Sequence, residues 1–425
     1  MKNFARFSFI VSALALFTAC QGSQPSALVP ASAVRDATRS SWSYNVLYRF
    51  NLAHGKGTGT AFGGLLDFDG TLYGTTQLGG NHRHHGAGCA FRTCGAVYTV
   101  TASGAYNVIH AFRGGPRDGA NPKTGLINVN GTLYGTTVYG GAASGCGGGC
   151  GTVYSISPTG AEKVLYSFAG GSDAAHPTHV LLYMNGTLYG TTDAGGSGCT
   201  TSSNSCGTVY SVTTSGQEKV LYAFKGGTND GAGPSSALIN VKGSMYGTTG
   251  SGGGTGCTRD LGCGTVYSIT SNGQEQVLHS FTGAANGSSP VGLVYAKGLL
   301  YGTAGSGGST GNGIVYSMTA TGNEKVLYNF QGGSDAYCVS GPLIYVKGKL
   351  YGTSFCGGGC PGVPCGTVFS VTTKGAEQVL YGFTDVANGF GPAAPLIDVN
   401  GTLYGTTLEG GAPKGGPGVI FSLSP

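Results

Sequence analysis

Apolar and polar positions along this chain alternate in short runs rather than in helical stripes. The run Val164-Leu165-Tyr166-Ser167-Phe168 has relatives starting at Val46, Val108, Val220, Val277, Val326 and Val379. A second run, Gly131-Thr132-Leu133-Tyr134-Gly135-Thr136-Thr137, has relatives centred on Tyr73, Tyr189, Tyr246, Tyr301, Tyr351 and Tyr404. A third, Gly151-Thr152-Val153-Tyr154-Ser155-Ile156, recurs near Tyr98, Tyr210, Tyr267, Tyr316, Phe369 and Phe421, and a fourth, such as Leu126-Ile127-Asn128-Val129, precedes every Leu-Tyr-Gly copy. All four are rich in β-branched and aromatic residues and bounded by Gly, Asn and Ser, which is the composition of strands. In Val164 to Phe168, Val, Tyr and Phe share one face and Leu165 occupies the other, so the sheet is expected to be covered on both sides. Asn130-Gly131, Asn185-Gly186 and Asn400-Gly401 join the fourth element to the second as type I′ hairpins. No segment beyond the N-terminal leader has a 3.6-residue apolar period, so almost no helix is expected.

The Leu-Tyr-Gly copies are spaced by 61, 55, 57, 55, 50 and 53 residues. Four strands in roughly 50 residues, repeated, is the signature of a propeller blade. The expected fold is an all-β, seven-bladed β-propeller with four antiparallel strands per blade. A solenoid would need polar capping repeats at its ends. Here the chain starts with a lone Val46–Phe50 strand and finishes after a third-strand motif at Phe421-Ser422-Leu423. The N-terminal strand is therefore expected to complete the last blade and close the ring, removing an open edge. The expected strand order, from the axis outward, is Leu-Ile-x-Val, Leu-Tyr-Gly-Thr, Thr-Val-Tyr-Ser and Val-Leu-Tyr-x-Phe.

The pattern Leu-Tyr-Gly-Thr-Thr-x-x-Gly-Gly, then Gly-Thr-Val-Tyr/Phe-Ser, then Val-Leu-Tyr-x-Phe resembles the GloVer tandem repeat of bacterial "choice-of-anchor" surface proteins, over residues 46 to 425. The resemblance implies an exported, cell-associated propeller. Relatives often end in a sorting segment; this chain ends at Ser424-Pro425, so an N-terminal lipid is the expected anchor.

That expectation rests on the first twenty residues. Lys2 and Arg6 precede a thirteen-residue apolar run, Phe7 to Ala19. Such a run is shorter than the ~20 residues a membrane-spanning helix needs, and it has the length of a signal-peptide core. Leu16-Phe17-Thr18-Ala19-Cys20 resembles a bacterial lipobox, with Phe17 departing from the usual Leu. The expected organisation is a signal peptide over 1–19, a lipid-anchored flexible tether over 20–42 beginning at Cys20, and the propeller over 43–425. No later stretch is apolar and long enough to span a membrane.

Composition sharpens this picture. Gly is 83 of 425 residues and charged residues are 9%, against typical values of about 7% and 25%. Gly does not recur at every third position, which excludes collagen, and 40% hydrophobic content is too high for a disordered chain. A net charge of +5, thinly spread, argues against a nucleic-acid partner. Beyond Cys20, twelve cysteines remain, all on the long loops that share one face of the ring. Five pairs fall within single loops: Cys89/Cys94, Cys146/Cys150, Cys199/Cys206, Cys257/Cys263 and Cys360/Cys365. Cys338 and Cys356 lie on neighbouring long loops and could meet on the same face as a sixth bridge, but Cys338, Cys356, Cys360 and Cys365 allow three pairings and the choice among them stays open. An exported chain points to disulfides; zinc needs four ligands, and most of these loops offer two.

Candidate chemistry is sparse. Asn81-His82-Arg83-His84-His85 has the composition of a metal-binding tract, but without an acidic partner it is read as a solvated loop. His110 and His279 replace Tyr in the outermost-strand motif and are read as structural substitutions. Asp118, Asp173, Asp230 and Asp335 recur before Gly or Ala in the blade-to-blade loops. Paired carboxylates suit glycoside chemistry at about 5–10 Å, but a catalytic pair would break the symmetry of the repeat and these follow it, so a turn role is preferred. Glu162, Glu218, Glu275, Glu324 and Glu377 open the outermost strands and are expected to protect exposed edges. No phosphate loop or nucleophile elbow is present. The expectation is a monomeric envelope lipoprotein, without catalytic residues, cofactor or metal. It would bind carbohydrate or a protein partner through the long-loop face, with Asp118, Tyr139, Asp173, Asp230 and Asp335 as ligand-face candidates. The alternatives are an extracytoplasmic polysaccharide lyase or hydrolase and a purely structural envelope protein.

Overall fold

A computed structural model describes residues 41–51, 63–80, 89, 93–143, 145–199, 206–254, 256–257, 262–359, 365–412 and 416–425. Contacts divide the chain into two units, Met1–Arg39 and Ser40–Pro425. The signal peptide, Cys20 and the His82–His85 tract lie outside the described residues. Among the described residues, no helix is long and apolar enough to cross a membrane.

The second unit is a ring of seven antiparallel blades. In blade 2, strands Ile127–Val129, Thr132–Thr137, Thr152–Ile156 and Glu162–Ser167 pair in sequence order. Blades 1, 3, 4, 5 and 6 begin their innermost strands at Leu66, Leu182, Ile239, Ser288 and Ile344 and repeat that order. Blade 7 consists of Ile397–Val399, Thr402–Thr406 and Val419–Ser424, and its fourth strand is Ser43–Arg49 from the other end of the chain. The register runs from Ser43 opposite Ser424 to Arg49 opposite Val419. The ring is thus closed by the N-terminal strand, as the leftover motifs require. Among the described residues, helix is limited to the short 3-10 turn Val386–Asn388.

The recurring motif residues have physical causes. The turns between innermost and second strands have positive φ at both central positions, as at Asn130 and Gly131 (52° and 85°) or Asn400 and Gly401 (55° and 90°). That is the type I′ geometry inferred from Asn-Gly. The glycine of Leu-Tyr-Gly faces the aromatic ring of the third strand; Gly135 pairs with Tyr154, and a Cβ there would stand 2.5 Å from the Tyr154 hydroxyl oxygen. Tyr98, Tyr154, Tyr210, Tyr267 and Tyr316 are fully buried, with hydroxyls that have no hydrogen-bond partner. Phe369 and Phe421 serve in blades 6 and 7, so the position needs the ring and not the hydroxyl.

Blades are joined by a second aromatic. The Phe that closes each outermost motif is at most 1% exposed and meets the third-strand ring of the next blade edge-on. Phe112 meets Tyr154 at 5.2 Å, Phe168 meets Tyr210 at 4.9 Å and Phe224 meets Tyr267 at 5.0 Å. Phe50, from the N-terminal strand, makes the same contact with Tyr98 at 5.7 Å. Burying each Phe contributes about 1.5–3 kcal/mol, and the edge-on pair roughly 0.5–1.5 kcal/mol more.

Candidate functional site

The long loops share one face, and disulfides hold them. Bridges join Cys89–Cys94, Cys146–Cys150, Cys199–Cys206 and Cys257–Cys263. Cys365 is also disulfide-bonded, while Cys360 lies outside the described residues. The second cysteine of each loop offers its carbonyl to the segment that leads into the next blade. Asn121 N–H donates to Cys94 O at 2.6 Å, His176 to Cys150 at 2.8 Å, Gly233 to Cys206 at 2.8 Å and Ser289 to Cys263 at 2.8 Å. Each bridge therefore fixes an acceptor that ties one blade to its neighbour. Disulfides of this kind persist in oxidising compartments outside the cytosol.

The sixth bridge is corrected. Cys338 and Cys356 are not joined, and Cys356 is a buried thiol. The register places Tyr337, not Cys338, opposite Cys356, and adjacent residues of a strand point to opposite faces. Cys338 also has φ 52°, the left-handed geometry that its counterparts Asn121, His176 and Ser289 share.

Three of the four recurring aspartates, Asp173, Asp230 and Asp335, turn out to be consumed by the scaffold. Asp230, 7% exposed, accepts from Lys225 N–H at 2.7 Å, Gly231 N–H at 2.6 Å and the Tyr222 hydroxyl at 2.9 Å. Asp173 is held identically by Ala169, Ala174 and Tyr166, and Asp335 by Gln331, Ala336 and Tyr328. The turn role is the one the geometry supports for them. The glutamates differ from expectation. Glu218 stands beside Tyr166 and Asp173 of the preceding joint, and Glu275 beside Tyr222 and Asp230. They are partly buried rather than edge charges, because each outermost strand leans on the blade before it. Burial, then the facing aspartate, pushes Glu162, Glu218 and Glu275 up to about 7 and Glu377 up to about 8. At the two joints made by the N-terminal strand the acid is absent, and stacked rings replace it: Tyr44 on Tyr381 at 4.1 Å and Tyr48 on Tyr106 at 4.0 Å.

Symmetry breaks at the axial edge of the same face, in blades 2 and 3. The segments that lead into the innermost strands run from rim to axis, and there the repeat carries small residues: Ser235 and Ser236, Ser340 and Gly341, Ala393 and Ala394. Blade 2 instead has Lys123, and blade 3 has His176 and His179. Asp193 follows Thr191-Thr192 where Val138, Gly250 and Gly305 stand elsewhere. Thr178 donates to Asp193 Oδ1 at 2.7 Å, and His179 Nδ1 lies 3.1 Å from Thr191 Oγ1. His176 meets Tyr139 edge-on at 5.3 Å, and its Nε2 is buried without a partner. Burial holds Lys123 below its usual value, against the pull of Asp193. Burial likewise holds His176 and His179 low, with Lys123 adding to the effect and Asp193 opposing it. The result is one carboxylate, one ammonium and two largely neutral imidazoles at one spot. Of the five residues expected to face a ligand, Tyr139 alone stands beside them. Setting the seven repeats position against position would have exposed Lys123, His176, His179 and Asp193; consensus positions alone hide them.

A closed ring of seven four-stranded blades, with an irregular polar cluster at the axial edge of its loop face, defines a repeat-built β-propeller. The chain belongs to the Gloeobacter/Verrucomicrobia repeat family, which matches residues 31–259, 142–362 and 255–425. No curated protein matches the sequence significantly. Among solved structures, a puromycin hydrolase is similar, with TM-score 0.50 and 12% identity over 82% of this chain and 50% of its own. The computationally designed Ika8 protein aligns with TM-score 0.46 and 13% identity over 88% of this chain and 100% of its own. Trypanosoma rangeli sialidase aligns with TM-score 0.44 and 10% identity over 90% of this chain and 59% of its own. At 12% identity the likeness to the puromycin hydrolase is one of fold alone.

Proposed function

We propose that the protein is an exported, lipid-anchored β-propeller that binds a surface carbohydrate at the bacterial cell envelope through its long-loop face. The observation that carries this reading is the Lys123–His176–His179–Asp193 cluster. Lys123, His176 and Asp193 stand where the other blades carry different residues, while His179 keeps the contact to Thr191 that Thr124 makes to Thr136 in blade 2. Lys123, His176 and His179 are partly buried and Asp193 is exposed. A carboxylate, an ammonium and imidazoles side by side suit a polyhydroxylated ligand, which presents donors and acceptors together. Asp173, Asp230 and Asp335 support the reading by elimination, since each already accepts two backbone N–H groups and a Tyr hydroxyl. Lipidation at Cys20 would tie the module to the membrane through the tether.

A second reading, an extracytoplasmic hydrolase or lyase, is favoured by one detail: the unpartnered Nε2 of His176, held neutral near Lys123 and Asp193, has the state of a general base. A glycan array probed with the mature protein, beside turnover assays on pooled polysaccharides, separates the two. Retention without turnover supports binding, turnover supports the enzyme, and neither leaves a structural envelope role. Labelling with a palmitate analogue tests the anchor; label that survives Cys20→Ala refutes lipidation there.

A further inference from the structure

The joint between blades 1 and 2 departs from its equivalents in a way that the carbohydrate reading does not use. Elsewhere an outermost-strand Tyr donates to the loop aspartate, as Tyr166 does to Asp173 and Tyr222 to Asp230. Here the position is His110, which makes no such bond. Its Nε2 is 3.8 Å from Asp118 Oδ1, buried and without a hydrogen-bond partner. The other histidine at this position is different: His279 Nε2 lies 3.2 Å from Asn286 Nδ2, so that joint changed both partners together and satisfied the ring. At the first joint the acid stayed. Glu162 comes in from blade 2, and its Oε1 is buried and unpartnered, as are those of Glu218, Glu275, Glu324 and Glu377 at the other joints; what is particular here is the unpartnered imidazole beside it.

One imidazole and two carboxylates thus converge, with their ligand atoms all within 4.8 Å of one another. They open on a groove also lined by Ile109, Gly114 and Arg117. Asp118 is oriented from behind by Arg113 N–H at 2.8 Å on Oδ2 and Gly119 N–H at 2.7 Å on Oδ1, which leaves each oxygen a further lone pair. We propose that His110, Asp118 and Glu162 form a binding site for a divalent first-row cation such as Zn2+. Three protein ligands and an open side toward the groove are what a four-coordinate ion with one exchangeable position requires. Two carboxylates neutralise the ion, and the exposed Arg113 and Arg117 side chains are screened by solvent. The ion would stand in for the missing local Tyr-to-Asp hydrogen bond and, through Glu162, would tie blade 1 to blade 2. It reverses the structural reading of His110 made from sequence.

The test is Zn2+ titration of the disulfide-intact protein by calorimetry, with His110→Tyr, Glu162→Gln and His279→Tyr as variants. His110→Tyr restores the residue of the other joints, so it removes the ligand without emptying the position and should melt at or above the metal-free wild type. The site predicts one Zn2+ bound by the wild type and by His279→Tyr. It predicts affinity weakened at least about tenfold in His110→Tyr and in Glu162→Gln, since even outer-shell changes at metal sites cost 10–100-fold. Zn2+ should also raise the wild-type melting temperature but not that of His110→Tyr. No saturable binding by the wild type overturns the proposal. So does binding that His110→Tyr leaves intact, which would place the ion elsewhere, as on the His82–His85 tract.

Discussion

Replacing Asp230 by Ala separates a structural aspartate from a ligand-binding one. Its carboxylate accepts three hydrogen bonds, two from backbone N–H groups and one from Tyr222, at a position 7% exposed. Hydrogen bonds to a charged acceptor contribute about 1.5–3 kcal/mol each, and removing the acceptor leaves buried donors unpaired. The three share one network and are not additive, so a loss of about 3–5 kcal/mol is expected. At roughly 2 cal/mol/K of unfolding entropy per residue, that lowers the melting temperature of a ring this size by about 5 °C. Relief of Glu275, which faces the same carboxylate, returns a small part. The assay is thermal and urea unfolding followed by tyrosine fluorescence, beside Asp193→Ala, whose carboxylate takes one side-chain hydrogen bond. Asp193→Ala should cost about 1 kcal/mol or less. If Asp230→Ala melted with the wild type, or if Asp193→Ala were the more damaging, the division into scaffold and site acids would be wrong.

Ring closure predicts that removing residues 43–50 abolishes the cooperative transition, because blade 7 loses its fourth strand and Phe50 leaves the Tyr98 joint; a variant that melts like the wild type contradicts this. Tyr210→Phe should be neutral or stabilising, since it deletes a buried hydroxyl without a partner, whereas Gly190→Ala should cost several kcal/mol against the same ring; calorimetric melts of both variants decide it. The raised glutamates give a pH dependence. A carboxyl whose folded value lies near 7 or 8, above the ~4.3 of an unfolded chain, stabilises fully below the unfolded value and loses that contribution as pH rises through the folded one. His176, His179 and His279 are held low and act in the opposite sense only below about 6.5. The melting temperature should therefore fall between about pH 6.5 and 8.5, and replacing Glu218, Glu275 and Glu377 by Gln should flatten that fall; a rise in the wild type refutes it.

Much of the fold was legible because each strand carries its own signature and recurs. Blade number, strand order and closure follow from motif counts and from two leftover motifs at the chain ends. The Asn-Gly turns were legible because positive φ at two successive residues narrows the choice of residue. The Cys338 and Cys356 pairing was not, because it depends on a register in which Tyr337 takes the place opposite Cys356. The glutamates misled because edge protection is a rule about isolated strands, and here the preceding blade covers the edge. The candidate site was hidden for a different reason. Lys123 and Asp193 belong to different blades and lie at positions that the repeat leaves variable. A functional group does break the symmetry of a repeat, but Asp118, Asp173, Asp230 and Asp335 obey that symmetry and so draw attention away from the positions that do not.

The most direct test of the central claim is a quantitative binding comparison. Glycans retained by the wild-type propeller on an array are titrated against Lys123→Ala, Asp193→Asn and Asp230→Asn, each checked for an intact fold by its melting curve. The account predicts that Lys123→Ala and Asp193→Asn lose at least about tenfold in affinity, about 1.4 kcal/mol, while Asp230→Asn binds like the wild type wherever it remains folded. Equal affinity across all variants, or no glycan retained by the wild type, would contradict it.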